Sequence, residues 1–358
     1  MKIIHVIPNF FLAGAERMCE NLTIALKKEG HSVIAVSLYT EQTPITDRLS
    51  QAGVRVVYLD KKRGLDLSMY GKLIRLFREE KPDVVHTHII ASKYGLPAAV
   101  IAGVPKIIHT VHNVAQKEQP KDGIIMNSLM FRRNGVVPVA LSPAVQATIQ
   151  EVYGLAKEEI PVIYNGIDLS RCIPKNAYSA CGLFKILHIG RFMDVKNHDL
   201  LLHSFAELAR KHSNVILQLI GEGPLLEQMK ELSYELKIAD QVEFLGPQPD
   251  VYRYLNRADV LVLPSKYEGV PMTLIEAMGT GLPIIASAVG GVPDMLTDDE
   301  NALLIQPVQE YLTDALEKLY LNEALRERLG NGARHRAEFF SAEKMAENYQ
   351  NVYRGGCQ

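Results

Sequence analysis

Residues 260–287 read VLVLPSKYEGVPMTLIEAMGTGLPIIAS. The apolar run VLVL is followed by a loop holding Gly269 and Pro271, then by a helical stretch around LIEAMG, then by a second apolar run, PIIA. Two short apolar runs joined through a helix make a β-α-β unit with parallel strands, buried on both faces. The loop Tyr267–Gly281 therefore lies at a strand's carboxyl end, where open α/β sheets bind their ligands. Glu268 falls in that loop and Glu276 in the first helical turns, eight positions on. Carboxylates placed so can each accept hydrogen bonds from sugar hydroxyls. The amides of Met272 and Thr273 between them, at a helix N-terminus, suit a phosphate. The plain alternative is a helix start with two surface glutamates.

The same alternation extends outward in both directions. Upstream in the second half, strands are expected at Lys185–His188, Val215–Ile220 and Gln241–Phe244, with helices at Asn197–Lys211 and Pro224–Leu236. A helix at Tyr311–Leu319 follows the quoted unit. The first half runs an independent series: strands at Ile3–Ile7, Ser32–Leu38, Arg55–Leu59, Asp83–His86, Lys106–Thr110 and Val137–Leu141, with helices at Gly14–Glu29 and Ser68–Glu80 among them. Two consecutive β/α series predict two doubly wound α/β domains with the ligand at their strand C-termini. The expected division is 1–168 for a first Rossmann-like domain, 169–182 for a polar linker and 183–340 for a second domain. Residues 341–358 form a closing helix expected to pack back on the first.

Further constellations sit at other strand ends. In Gly190–Asn197, GRFMDVKN, Arg191 and Lys196 are five apart across a loop and can converge on one anion. A planar fork and a point charge together suit a diphosphate leaving group, although two solvated cations would read the same. In Phe10–Arg17, FFLAGAER, Gly14 allows close backbone approach at the positive end of a helix dipole, or simply tight packing. His86 and His88 in VVHTH, with His109 and His112 in IIHTVHN, end two strand candidates and are expected to face one crevice. Such histidines can bond a sugar hydroxyl, steady transition-state charge, or serve structure alone. A pair spaced HxH without a third ligand motif is poor support for zinc, so no metal is expected. Gly221–Pro224, GEGP, is read as a helix start with Pro224 at its first position, shaping a nucleotide pocket or a plain turn. Tyr164–Asp168, YNGID, reads as an Asn-Gly turn before the linker.

Composition sets the bounds. The chain has 358 residues, 47% hydrophobic and 22% charged, as expected for two soluble domains. MKIIHVIPNF is too short an apolar run for a signal peptide, and no stretch reaches the roughly 18 apolar residues of a membrane span. Cys19, Cys172, Cys181 and Cys357 form no CxxC pair, so a reducing, cytoplasmic location is expected. Residues 1–170 carry 20 Lys and Arg against 16 Asp and Glu, whereas residues 171–358 carry 19 against 25. A basic first half could meet an anionic acceptor or membrane, or reflect chance.

Taken together, AGAER, DVVHTH, TVHN, VIYNGID, GRFMDVKNHDLLL, GEGP, VEFLG and EGVPMTLIEAMGTGLPIIAS resemble the family-4 retaining glycosyltransferases over nearly the whole chain. The resemblance implies the GT-B fold: two doubly wound Rossmann-like domains facing each other across a cleft. It departs at Ala13, where the family often has a second glycine. It implies that Arg191 and Lys196 hold the donor diphosphate, Glu268 contacts the transferred sugar and Glu276 the ribose. Gly221 would shape the nucleotide pocket, and the backbone of Gly269, Val270, Pro271, Met272 and Thr273 would line the sugar and phosphates. Gly14 would close over the diphosphate and His112 would lie beside the reacting sugar. The activity implied is retaining transfer from a nucleotide-diphosphate sugar, UDP-linked on family frequency, to a saccharide or lipid-linked saccharide acceptor of bacterial surface-polysaccharide synthesis.

With two cations at the phosphate no acidic metal motif is needed, so neither metal nor cofactor is expected. No nucleic-acid partner is expected either. The clusters Lys61–Arg63 and Arg132–Arg133 could rest on an anionic membrane from the cytoplasmic side. Alternatives are a GT-B epimerase and a nucleotide-sugar-binding protein without turnover. A dinucleotide-dependent dehydrogenase is excluded, since no glycine fingerprint is complete.

Overall fold

A computed structural model describes residues 1–179 and 182–355, so Cys181 and Cys357 lie outside the described residues. The other two cysteines, Cys19 and Cys172, are buried free thiols. Contacts divide the chain into two compact units, Met1–Ile167 with the segment from Ser341 onward, and Asp168–Phe340. Among the described residues no helix is long and apolar enough to cross a membrane.

The first unit is built on β1 (Lys2–Ile7), β2 (Ser32–Ser37), β3 (Arg55–Tyr58), β4 (Val84–His88), β5 (Lys106–Val111) and β6 (Val137–Ala140). They form one parallel sheet in the order β3-β2-β1-β4-β5-β6. Apolar residues on both pleat faces, as in β1 and β5, fit strands covered by helices on each side. The order reverses direction between β1 and β4, which is the topological switch point of a doubly wound sheet. The helix Ala342–Tyr353 belongs to this unit, packing against the helix Gly14–Lys28. Ser341 caps it by accepting from the Lys344 amide at 3.1 Å, and the Ala342 amide donates to the Ile167 carbonyl at 2.7 Å. A Cβ on Gly166 would lie 2.4 Å from the Ser341 carbonyl oxygen. The glycine of YNGID thus serves a close backbone crossing, and its φ is not left-handed.

The second unit repeats the plan with β7 (Phe184–Ile189), β8 (Val215–Ile220), β9 (Val242–Gly246), β10 (Val260–Leu263), β11 (Ile284–Ser287) and β12 (Leu303–Ile305). The order β12-β11-β10-β7-β8-β9 is that of the first sheet when each is read from its own first strand, with its switch point between β7 and β10. Eleven of the strands fall on the apolar runs read from the sequence, within a residue or two at most ends; β12 was not among them. Pro224 is not a first helical residue, because the helix following β8 begins only at Leu226. The GEGP segment instead runs as loop so that its glycines can pass close to the chain after β7.

Candidate active site

In the second unit the loops leaving β7, β8, β10 and β11 are locked together by glycines. Gly221 has φ 146°, and a Cβ there would stand 2.0 Å from the Gly190 carbonyl oxygen. Gly223 touches Phe192 in the same way, and the Phe192 amide donates to the Glu222 carbonyl at 2.9 Å. The backbone of GRFMDVKN is thereby seated on the β8 loop. Its final residue, Asn197, takes a left-handed φ of 58° that asparagine tolerates, and its side-chain amide donates to the Pro264 carbonyl at 3.1 Å. The Lys266 amide closes the link between the β7 and β10 loops by donating to the Val195 carbonyl at 2.9 Å.

This framework sets the chemistry. The Lys196 ammonium donates to Glu268 Oε1 at 2.6 Å, and Ser265 Oγ donates to the same oxygen at 2.5 Å. Glu268 is buried, 7% exposed, and holds its place through its backbone as well. Its carbonyl accepts from the Gly291 amide at 3.0 Å, and a Cβ on Gly290 would meet that carbonyl oxygen at 1.8 Å. Neither Ser265 nor the Gly290–Gly291 pair was singled out from sequence. A hydroxyl directly after an apolar strand, and consecutive glycines after the next one, were the signals available.

The Arg191 guanidinium is exposed and makes no hydrogen bond or ion pair with a described residue, whereas Lys196 is paired with Glu268. The helix Met272–Thr280 starts after Pro271, and its Met272 and Thr273 amides have no partner among the described residues, as at helix N-termini generally. Glu276 is 3% exposed on that helix. The neighbouring Cys172 thiol is pushed up to about 12, by burial first and then by the Glu276 carboxylate. Beneath the loops, His188 donates from Nδ1 to the Val262 carbonyl at 2.8 Å, which leaves Nε2 buried without a partner. Burial holds His188 down to about 4 and His198, stacked on Phe192 at 4.1 Å, down to about 2.

In the first unit the histidines lie otherwise than the sequence suggested. His86, His88 and His109 are each 0% exposed and open on no crevice. His109 takes the opposite face of the sheet, stacked on Phe131, because its side chain alternates with that of Thr110. Parallel pairing sets His5 of β1 beside His86 of β4, so a third buried imidazole joins the group. His5 Nδ1 and His88 Nε2 share a hydrogen bond of 3.0 Å, and His88 Nδ1 and His112 Nε2 share another of 3.0 Å. His86 bonds the Tyr353 hydroxyl through Nδ1 at 2.8 Å and Thr110 Oγ1 through Nε2 at 2.7 Å, and Tyr349 bonds Thr110 at 2.8 Å.

One nitrogen from each of His5, His86 and His88 lies within 4.8 Å of the others, a spacing a cation could use. Hydroxyls and imidazoles, however, already engage every nitrogen of that trio except His5 Nε2. His112 alone of the four sequence candidates is only part-buried, and its amide donates to Glu118 Oε1 at 2.7 Å. Gly14 is exposed at the first turn of the helix Gly14–Lys28.

A family model described as glycosyl transferases group 1 matches residues 180–336, and one described as Glycosyltransferase Family 4 matches residues 12–171. The N-acetyl-alpha-D-glucosaminyl L-malate synthase of Bacillus anthracis is 29% identical over 308 residues, covering 80% of this chain and 78% of its own. The UDP-Gal:alpha-D-GlcNAc-diphosphoundecaprenol alpha-1,3-galactosyltransferase of Escherichia coli is 28% identical over 338 residues, covering 86% and 84%. Among solved structures, Anabaena HepE in complex with UDP superposes with a TM-score of 0.83 at 19% identity, over 99% of this chain and 100% of its own.

Proposed function

The chain belongs to glycosyltransferase family 4, the group 1 glycosyl transferases, and from that premise we propose that it moves a sugar from a UDP-sugar, with retention and without a metal, onto a lipid-linked saccharide. That it is a glycosyltransferase follows from family models matching both halves, and the epimerase and binding-protein alternatives are not carried forward. The nucleotide and acceptor are suggested by relatives: HepE is described with UDP, and the Escherichia coli relative is named for transfer to a diphosphoundecaprenol-linked sugar.

One observation carries the proposal: Glu268 Oε1 is fully engaged by Lys196 and Ser265 at the carboxyl end of β10. Its other oxygen remains to accept from a hydroxyl of the transferred sugar. The Lys196 ammonium spends one of three protons on Glu268 and has two for diphosphate oxygens. Departure of the nucleoside diphosphate builds negative charge there, so the cations and the Met272 and Thr273 amides bind the transition state more strongly than the ground state. Glu276 would accept from the ribose, Arg191 would fold onto the diphosphate, and Gly221 would hold the pocket open beside Gly190. Gly14 and His112 keep the roles the resemblance implies, at the diphosphate and the reacting sugar. Work at the cytoplasmic membrane surface is part of the same reading. Leu65 and Leu67, 63% and 68% exposed, adjoin Lys61–Arg63. Ile125 and Leu129, 72% and 45% exposed, share a helix with Arg132 and Arg133.

The test is thermal stabilisation by UDP, GDP, ADP and their sugars with EDTA present. UDP at about 100 times its dissociation constant should add roughly 2.7 kcal/mol, and the shift should vanish in Glu276→Ala. No shift with any nucleotide from folded protein would refute the donor reading.

A further inference from the structure

The three rings His5, His88 and His112 form a hydrogen-bonded chain with two links, both 3.0 Å, running from β1 through β4 to the loop after β5. Neutral imidazole carries one N–H, so three rings bring three protons. Two of these occupy the links, and the third must sit at one end, on His5 Nε2 or on His112 Nδ1. Those ends differ. His5 is 0% exposed and its Nε2 is buried without a partner. His112 is part-buried, and its Nδ1 is neither bonded to a described residue nor sealed from solvent. A buried donor left unpaired is rarer and costlier than an acceptor left short of a bond. Burial also keeps the chain neutral, holding His5 and His112 each down to about 3 and His88 well below the usual imidazole range. The proton therefore belongs on the outer end, and each N–H along the chain points outward: His5 Nδ1–H to His88 Nε2, His88 Nδ1–H to His112 Nε2.

We propose that His88, itself held by His5, is a positioning residue that fixes His112 in its Nδ1–H tautomer, making His112 a hydrogen-bond donor to substrate oxygen and not a general base. Glu118 completes the hold, since its carboxylate accepts from the His112 amide at 2.7 Å and so fixes the backbone from which the ring projects. That His112 meets substrate rests on the function proposed above; the tautomer does not.

The decisive measurement is a long-range proton–nitrogen NMR spectrum of the full chain labelled with ring-15N histidine, at pH 7.5 without ligand. The His112 signals are assigned by their loss in His112→Gln. We expect Nδ1 protonated and Nε2 bare, the same pattern in His5→Phe, where His88 Nε2 becomes the buried inner end, and mixed tautomers at His112 in His88→Leu, where the ring that donates to its Nε2 is gone. With a UDP-sugar donor, His88→Leu should lower kcat about tenfold while the donor KM moves less than about twofold. His88→Asn, whose amide N–H stands where Nδ1–H stood, should recover most of that loss. A His112 protonated at Nε2, or one whose Nδ1–H pattern is unchanged in folded His88→Leu, overturns the proposal. If His88→Leu does not fold, the unsubstituted protein's spectrum still decides the tautomer. An Nδ1–H pattern in a protein that turns over no nucleotide-sugar would leave the tautomer lock standing and overturn the donor reading alone.

Discussion

Lowering the pH from 7.5 to 5.5 should cost this protein several kcal/mol of stability, although most of its carboxylates stay ionised. Six histidines are held neutral by burial: His5, His86, His88 and His112 in the first unit, His188 and His198 in the second. Their folded pKa values, lowered to about 4 or below where a value is given, lie under the ordinary one near 6.5. As the pH falls the unfolded chain therefore binds protons that the fold refuses, and stability falls with it. Each such ring loses somewhat more than about 1 kcal/mol over this interval, so the first unit loses on the order of 5.

Glu16 works the other way. Burial raises its carboxyl to about 7, so the fold takes up a proton before the unfolded chain does and regains about 2 kcal/mol. The net loss is on the order of 3 kcal/mol in each unit, against a usual domain stability of about 5–15. The raised carboxyls of Asp259 and Asp294 trim the second figure slightly. Urea unfolding followed by far-ultraviolet circular dichroism suits a chain with no tryptophan, at pH 7.5, 6.5 and 5.5. Stability constant within about 1 kcal/mol across that range would refute the reasoning, since these rings would then be protonated or hydrated in the fold.

Other substitutions probe the site. Gly290→Ala drives a Cβ to 1.8 Å from the Glu268 carbonyl oxygen at a left-handed φ of 55°. Backbone must move, so we expect a loss of about 1–3 kcal/mol in thermal unfolding and at least about a tenfold fall in kcat/KM. Lys196→Met leaves the buried Glu268 carboxylate without its cation at 2.6 Å. Turnover assays should show kcat reduced about 10²–10³-fold, and a loss confined to KM would argue against a role in the leaving-group step. His198→Leu removes two buried ring nitrogens that lack partners and should stabilise the second unit by about 1 kcal/mol in urea titration. It should also flatten the acid slope by one histidine.

What could be read from the sequence divides along a physical line between local and non-local pattern. The unit at residues 260–287 was legible because its strand, loop, helix and second strand are contiguous, and both Glu268 and Glu276 lie within it. The fold class followed from repeating that pattern. β12 escaped because three residues, LLI, are too short to show a period. The β7 loop was legible as a pair of cations, but not as a salt bridge, since Glu268 lies 72 positions from Lys196 and only the β7–β10 pairing brings them together. The histidines show the same limit more sharply. A period of two placed His86 and His88 on one face of β4, yet nothing local marks the His5 of KIIHVI as their neighbour. Only the parallel register His5↔His86 does so, across 81 residues of chain. Once it is known, His5, His88 and His112 form one line ending at a part-buried ring, while His109 turns to the other face of the sheet. The residue types at a parallel sheet's carboxyl edge can thus be listed from sequence, but which of them hold one another, and hence which proton sits where, depends on strand order. That is why the proposed tautomer of His112, like the pairing of Lys196 with Glu268, follows from strand order and not from motifs.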